Sequence, residues 1–159
     1  MPISIIPNLW FNGVAVEAAE FYCSIFPNSK ILATAHYTEA GPGPAGAVMT
    51  VNFELDGERI IAINAGPEFQ FSEAISLLIE CRDQAEIDYY WGKLCEGGTE
   101  SRCGWLKDRY GLSWQVAPLG MDEIFADPDP SRAERAMRAM FEMNKLDLAA
   151  LLAAAAGPG

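Results

Sequence analysis

The stretch IIPNLWFNGVAVEAAEFYCSIF (residues 5–26) reads as a strand followed by an amphipathic helix, and AISLLIECRDQAEIDYYWGKLC (74–95) repeats that reading. In the first, Ala18, Phe21, Tyr22, Ile25 and Phe26 fall at i, i+3, i+4, i+7 and i+8. In the second, Ile87, Tyr90, Trp91, Leu94 and Cys95 do the same, 69 positions later. Each set lines one side of a helix, so each helix has one stripe to bury.

Working outward, KILATAHY (30–37), AVMTVNFEL (47–55) and ERIIAIN (58–64) read as strands. Asp56-Gly57 joins the last two and suits a tight hairpin, which needs positive φ at both central residues. Gly41-Pro42-Gly43-Pro44-Ala45-Gly46 is a loop, since proline cannot donate to a ladder. Gly66-Pro67 opens the connector to the second half. There, Asp83 caps the helix with Glu86 as its capping-box partner, and Gly97-Gly98 ends it. Short strands around 99–108 and LSWQVAP (112–118) follow, with Asp108 to Gly111 as the turn. The expectation is an α+β fold in a single domain of 159 residues. Two βαβββ modules cover 3–65 and 72–118, and a helical tail covers 120–157.

In the tail, Met121 to Ala126 forms a helical turn and Asp127-Pro128-Asp129-Pro130 breaks it. Ser131 and Glu134 read as a capping box opening SRAERAMRAMFEM. The final LDLAALLAAAA (146–156) is apolar on both faces. The tail could therefore pack on its own sheet or on a second subunit, and the second placement is favoured, with a homodimer expected.

Charge removes several function classes. With 22 acidic residues, 11 basic ones and one histidine, the formal charge is −11. Nucleic acid and anionic membrane surfaces both need clustered Lys and Arg. No apolar run approaches the roughly 20 residues of a membrane span. The segment MPISIIPNLWF lacks the basic start of an export signal, so a cytoplasmic location is expected. Cys23, Cys81, Cys95 and Cys103 form no C-x-x-C pair and are expected to be reduced thiols, neither bridged nor zinc-bound.

The strings NLWFNGVAVEAAEFYCSIFPNS, TEAGPGPAGAVMTVNFELDGERIIAINAGPEFQFSEAIS, YYWGKL and CGWLKDRYGLSWQV, with the DPDP-plus-helices tail, resemble the PhnB-like family. That family is also labelled a 3-demethylubiquinone-9 3-methyltransferase domain. It belongs to the vicinal oxygen chelate superfamily of glyoxalase I, bleomycin-resistance proteins and ring-cleaving dioxygenases. The resemblance implies that each module curls into a U-shaped sheet and that the two sheets form one cup. In metal enzymes of the type, the first and last strand of each half supply four ligands. Internal alignment places those slots near Ile5, Ile61, Ala74 and Gln115. Three of these side chains have no donor atom for a metal, and a one-residue shift to Ile6, Ala62 and Ile75 is no better. No metal and no other cofactor is therefore expected. The methyltransferase label gains no support either, because AGPGPAG leads into a strand rather than opening a helix. Whether the protein is an enzyme stays open. No Ser or Cys stands in a nucleophile motif, and one histidine, His36, reads as an edge residue.

Carrying the slot register along the strands gives a lining of Ile5, Pro7 and Leu9; Arg59, Ile61 and Ile63; Ala74, Ser76 and Leu78; and Ser113, Gln115 and Ala117. The candidate ligand contacts are Arg59, Ser76, Ser113 and Gln115, with Trp105 able to stack on a ligand. Lys107 and Arg109 offer positive charge, although Asp108 and Arg109 read first as turn residues. Phe69 and Phe71, in the connector, could lie over the cup as a lid. Glu39 and Glu73, bordering the Gly/Pro loop and the connector, could each act as a base if buried beside a pocket. The expected function is metal-free binding of a small, largely apolar molecule in the cup between the two modules. The alternatives are an enzyme of the same fold with an unidentified reaction and a dimeric interaction protein.

Overall fold

The first helical stripe becomes α1 (Ala15–Ile25), which buries Ala15, Ala18, Ala19, Tyr22 and Ile25. It lies on a four-stranded sheet of β1 (Asn8–Phe11), β2 (Lys30–His36), β3 (Val48–Leu55) and β4 (Glu58–Asn64), ordered β1-β4-β3-β2. Here β1 runs parallel to β4, and the other pairs are antiparallel. Val51, Phe53, Leu55, Ile60 and Ala62 are buried on the helix side, and the Tyr22 ring stacks on Phe53 at 6.3 Å. The β3–β4 hairpin turns on Asp56 (φ 48°) and Gly57 (φ 88°), the geometry expected of Asp-Gly. Val14 precedes α1 and has no capping side chain, so Asn64 at the end of β4 serves instead. Its Oδ1 accepts from Ala15 N–H at 2.9 Å, and its Nδ2 donates to the Val48 carbonyl at 3.2 Å.

The structure, a computed structural model, describes residues 2–158. The chain divides into two units, one ending at Phe71 and the other beginning at Ser72. The second repeats the plan of the first. Its strands β5 (Leu77–Cys81), β6 (Thr99–Glu100), β7 (Trp105–Lys107) and β8 (Ser113–Pro118) are ordered β5-β8-β7-β6, with β5 parallel to β8. Between β5 and β6 lies α2 (Gln84–Cys95), which buries Ile87, Trp91 and Leu94. Cys81, Leu106, Trp114 and Val116 are buried on the helix side of this sheet. The capping box holds in its first half, since Asp83 accepts from Glu86 N–H at 2.9 Å. The Glu86 carboxylate returns one residue further out, to Arg82 N–H at 2.7 Å and the Arg82 guanidinium.

The strand starts differ from the sequence reading. β1 begins at Asn8 and leaves Ile5 94 % exposed, and β5 begins at Leu77, beyond Ala74. Leu9 also faces the other way, because Leu9 and Phe11 are the buried residues of β1. Parallel pairing sets Asn8 beside Ile61 and Leu9 beside Ala62, so Asn8 and Trp10 share the open face with Ile61 and Ile63.

The tail forms α3 (Met121–Phe125), α4 (Pro130–Phe141) and α5 (Leu148–Ala156). The cap of α4 is Asp129 rather than Ser131. Pro130 takes the first helical position, where its missing N–H costs nothing. Asp129 Oδ1 accepts from both Ser131 N–H and Ser131 Oγ, and Glu134 pairs with Arg138. The tail also packs on its own second module. Gln84 donates to the Leu146 carbonyl at 3.0 Å and accepts from Leu148 N–H at 2.9 Å. Lys145 pairs with Asp88 at 2.8 Å. Cys103 and Gly104 N–H donate to the Met143 and Asn144 carbonyls, each at 2.8 Å. Ala136, Leu146, Leu151 and Ala155 are buried, and Arg135 donates to the Ala154 and Ala155 carbonyls at the end of α5. These contacts hold the tail on its own module, one of the two placements that the sequence leaves open. Among the described residues, no helix is long and apolar enough to cross a membrane.

Candidate functional site

Strand alternation separates the second sheet into two faces. Leu106, Trp114 and Val116 turn toward α2. Trp105, Lys107, Ser113, Gln115, Ala117 and Leu78 turn to the open face. Register fixes their neighbours: Trp105 and Leu78 flank Gln115, and Lys107 stands opposite Ser113. Directly opposed side chains on one face lie within contact range. Gln115 Nε2 donates to Ser76 Oγ at 2.9 Å, which orients the amide. The structure thus gathers four of the five predicted contacts, Ser76, Trp105, Ser113 and Gln115, on one surface. Arg59 lies in the other unit, where its guanidinium donates to Asn52 Oδ1 at 2.8 and 3.3 Å.

Beside this face lies a cavity of about 640 Å³. Leu78, Trp105, Gln115 and Ala117 line it from the sheet, and Cys103, Met121, Phe125, Met140 and Leu146 from the loop and tail. Sequence reasoning missed the tail's share, because helical periodicity does not say which sheet a helix meets. One rim is acidic, with Glu80, Asp122 and Glu123. Toward the other end, Lys107 Nζ meets a Glu73 carboxylate oxygen at 2.6 Å. That hydrogen bond holds the Glu73 carboxyl below its usual range, the wrong direction for a general base. Ser113 is 1 % exposed, and its Oγ has no hydrogen-bond partner among the described residues.

The turn between β7 and β8 is structural, as expected. Asp108 is 3 % exposed. Its carboxylate accepts from Tyr110 N–H (2.8 Å), Leu112 N–H (3.1 Å) and Trp114 Nε1–H (2.8 Å). Arg109 turns outward to the Glu96 carbonyl at 3.2 Å.

In the first unit, Trp10 Nε1 donates to the Gly66 carbonyl at 2.9 Å. The Phe69 and Phe71 rings meet Trp10 and Phe11 edge-on at 4.8 and 5.3 Å, so they tie the connector to β1. A cavity of about 630 Å³ surrounds Tyr37. Tyr37 Oη donates to the Asn64 carbonyl at 2.6 Å, and the Gly/Pro loop wraps its ring. A Cβ on Gly43 would fall 2.5 Å from that ring.

The donor chemistry does not fit the metal of the fold's chelating enzymes. The observed register sets Asn8 beside Ile61 and Leu78 beside Gln115. Within each unit such a pair offers one neutral amide and one alkyl group, which do not hold a divalent ion against water. His36 lies exposed on the edge strand β2. Among the described residues no three His, Cys, Asp or Glu side chains form a metal-holding group. The thiols are weak nucleophiles as well. Burial pushes Cys81 up to about 12 and Cys95 up to about 11, and it raises Cys103.

Residues 3–117 match the family model described as 3-demethylubiquinone-9 3-methyltransferase. A PhnB protein from Bacillus cereus with that same methyltransferase description is 36 % identical. The match covers 72 % of this chain and 98 % of that one, with a TM-score of 0.65. A Pseudomonas aeruginosa protein is 22 % identical over 74 % of this chain and 98 % of its own, with a TM-score of 0.62. The fosfomycin resistance protein FosX from Listeria monocytogenes is 13 % identical over 76 % and 93 %, with a TM-score of 0.53. The last two share the fold. Among curated proteins no match is found.

Proposed function

The chain belongs to the 3-demethylubiquinone-9 3-methyltransferase family, the PhnB-like branch of the vicinal oxygen chelate superfamily, and we propose that it binds a small, largely apolar molecule on the open face of its second module, without a metal. The observation that carries this reading is the cavity of about 640 Å³ beside Trp105 and Gln115. A concave, mostly apolar site with a few fixed polar groups is the usual form of a small-molecule pocket. Trp105 supplies a flat ring for stacking. Gln115, held by Ser76, supplies an oriented amide. The family description names a methyl transfer, but the chain has two mixed four-stranded sheets and a Gly/Pro loop that leads into β3. We read the protein as a binder, acting in the cytoplasm as a homodimer.

A thermal-shift panel of small aromatic compounds and hydroxy acids tests the reading. A ligand selective for the folded state at a hundred times its Kd adds about 2.7 kcal/mol, a rise of roughly 5–10 °C in Tm for a chain of this size. Trp105→Ala is expected to abolish the shift, and prior treatment with a chelator to leave it unchanged. A panel that moves Tm nowhere, or a shift that the chelator removes, refutes metal-free binding. Mass measured in solution checks the dimer.

A further inference from the structure

We propose, building on the binding reading above, that the ligand is an amphipathic monocarboxylate. Its carboxylate is held by Lys107 and Ser113 while its apolar end fills the cavity against Trp105. Three observations lead there. Lys107 is the one basic residue in β5–β8, and it stands on the open face directly opposite Ser113. The Ser113 hydroxyl is buried without a hydrogen-bond partner among the described residues. Such a group is costly to leave unmade, and an anion that accepts from it removes that cost. Lys107 already holds a carboxylate, that of Glu73 at 2.6 Å, from a residue that is itself exposed. Glu73 therefore occupies the position a ligand carboxylate would take, and binding exchanges one for the other.

The spacing sets the shape of the ligand. The Lys107–Ser113 pair lies two residues along the strands from the Trp105–Gln115 pair. At the usual strand rise this is about 7 Å. The acidic rim of Glu80, Asp122 and Glu123 repels an anion from the far end of the cavity, so only one orientation is favourable. One ammonium and one hydroxyl match a monoanion. A phosphate dianion calls for more positive charge than this face carries.

Calorimetric titration of the full chain with 4-phenylbutanoate and with the neutral 4-phenylbutanamide tests this. The wild type is expected to prefer the acid by about tenfold, the value of one charge-assisted contact at a partly exposed site. Lys107→Gln erases that preference, weakening the acid more than the amide. Ser113→Ala also weakens the acid more than the amide. Glu73→Gln, on an exposed side chain, tightens the acid severalfold by removing its competitor, a gain that a purely structural ion pair would not give. Equal binding of acid and amide by the wild type overturns the carboxylate assignment and leaves the binding reading standing. If neither binds, the carboxylate assignment falls, while the binding reading is decided by the thermal-shift panel.

Discussion

At the scale of single residues, Asp108 does the most for the site without touching its open face. Its two carboxylate oxygens receive three N–H donors. Asp108→Asn keeps one acceptor and turns an NH₂ group toward donors that are already N–H. The expected loss is about 2–3 kcal/mol in urea denaturation, the cost of unmatched buried donors. Gly43 is constrained differently, by space rather than by φ. A Cβ there would meet the Tyr37 ring at 2.5 Å. Gly43→Ala is expected to displace that ring, seen as a shift of the Tyr37 aromatic resonances. The sequence makes Asp56-Gly57 and the turn role of Asp108 readable, because each acts on its own neighbours in the chain. It does not reveal Asn64 as the cap of α1, because that partner lies 49 positions away.

At the scale of elements, the two helical stripes are legible because each is a local periodicity. Strand facing is less so. Leu9 and Trp10 are both apolar and suit either face, and only pairing with β4 decides between them. The cap of α4 shows the same limit. Ser131 and Glu134 satisfy the capping-box spacing, yet Pro130 can only sit inside the first turn, which moves the cap back to Asp129. The tail is held by long-range bonds that no local pattern announces. Gln84 supplies two of them, 62 and 64 positions away. Gln84→Ala is expected to leave Tm within a few degrees while amide exchange at Leu148 quickens by about tenfold. An unchanged exchange rate there would remove Gln84 as the tail's tether.

At the scale of the whole molecule, stability depends on pH at the alkaline end. Burial and nearby Glu86 and Asp83 push the Cys81 thiol up to about 12 from an ordinary 9.0. Above pH 9 the unfolded chain releases this proton and the folded chain keeps it. The unfolded state then binds fewer protons, so stability falls as pH rises, by at most about 1.4 kcal/mol per pH unit. Urea midpoints measured between pH 8 and pH 10.5 are expected to decline less steeply in Cys81→Ala than in the wild type. Fold class follows from the repeated βαβββ pattern because a pattern needs no partner to be read. The cavity does not, since it is assembled from a sheet and a tail that meet only in three dimensions.

The rim strand β2 has a further consequence. All seven of its residues are exposed, and its pairing with β3 breaks register between Ile31 and Ala33 and again between Ala35 and His36. A straight outer strand is a template on which foreign chains can polymerise, and an uneven one is not. The unpaired Leu32 therefore guards against fibril growth, and excising it should yield a protein that seeds thioflavin-positive aggregates where the parent stays clear.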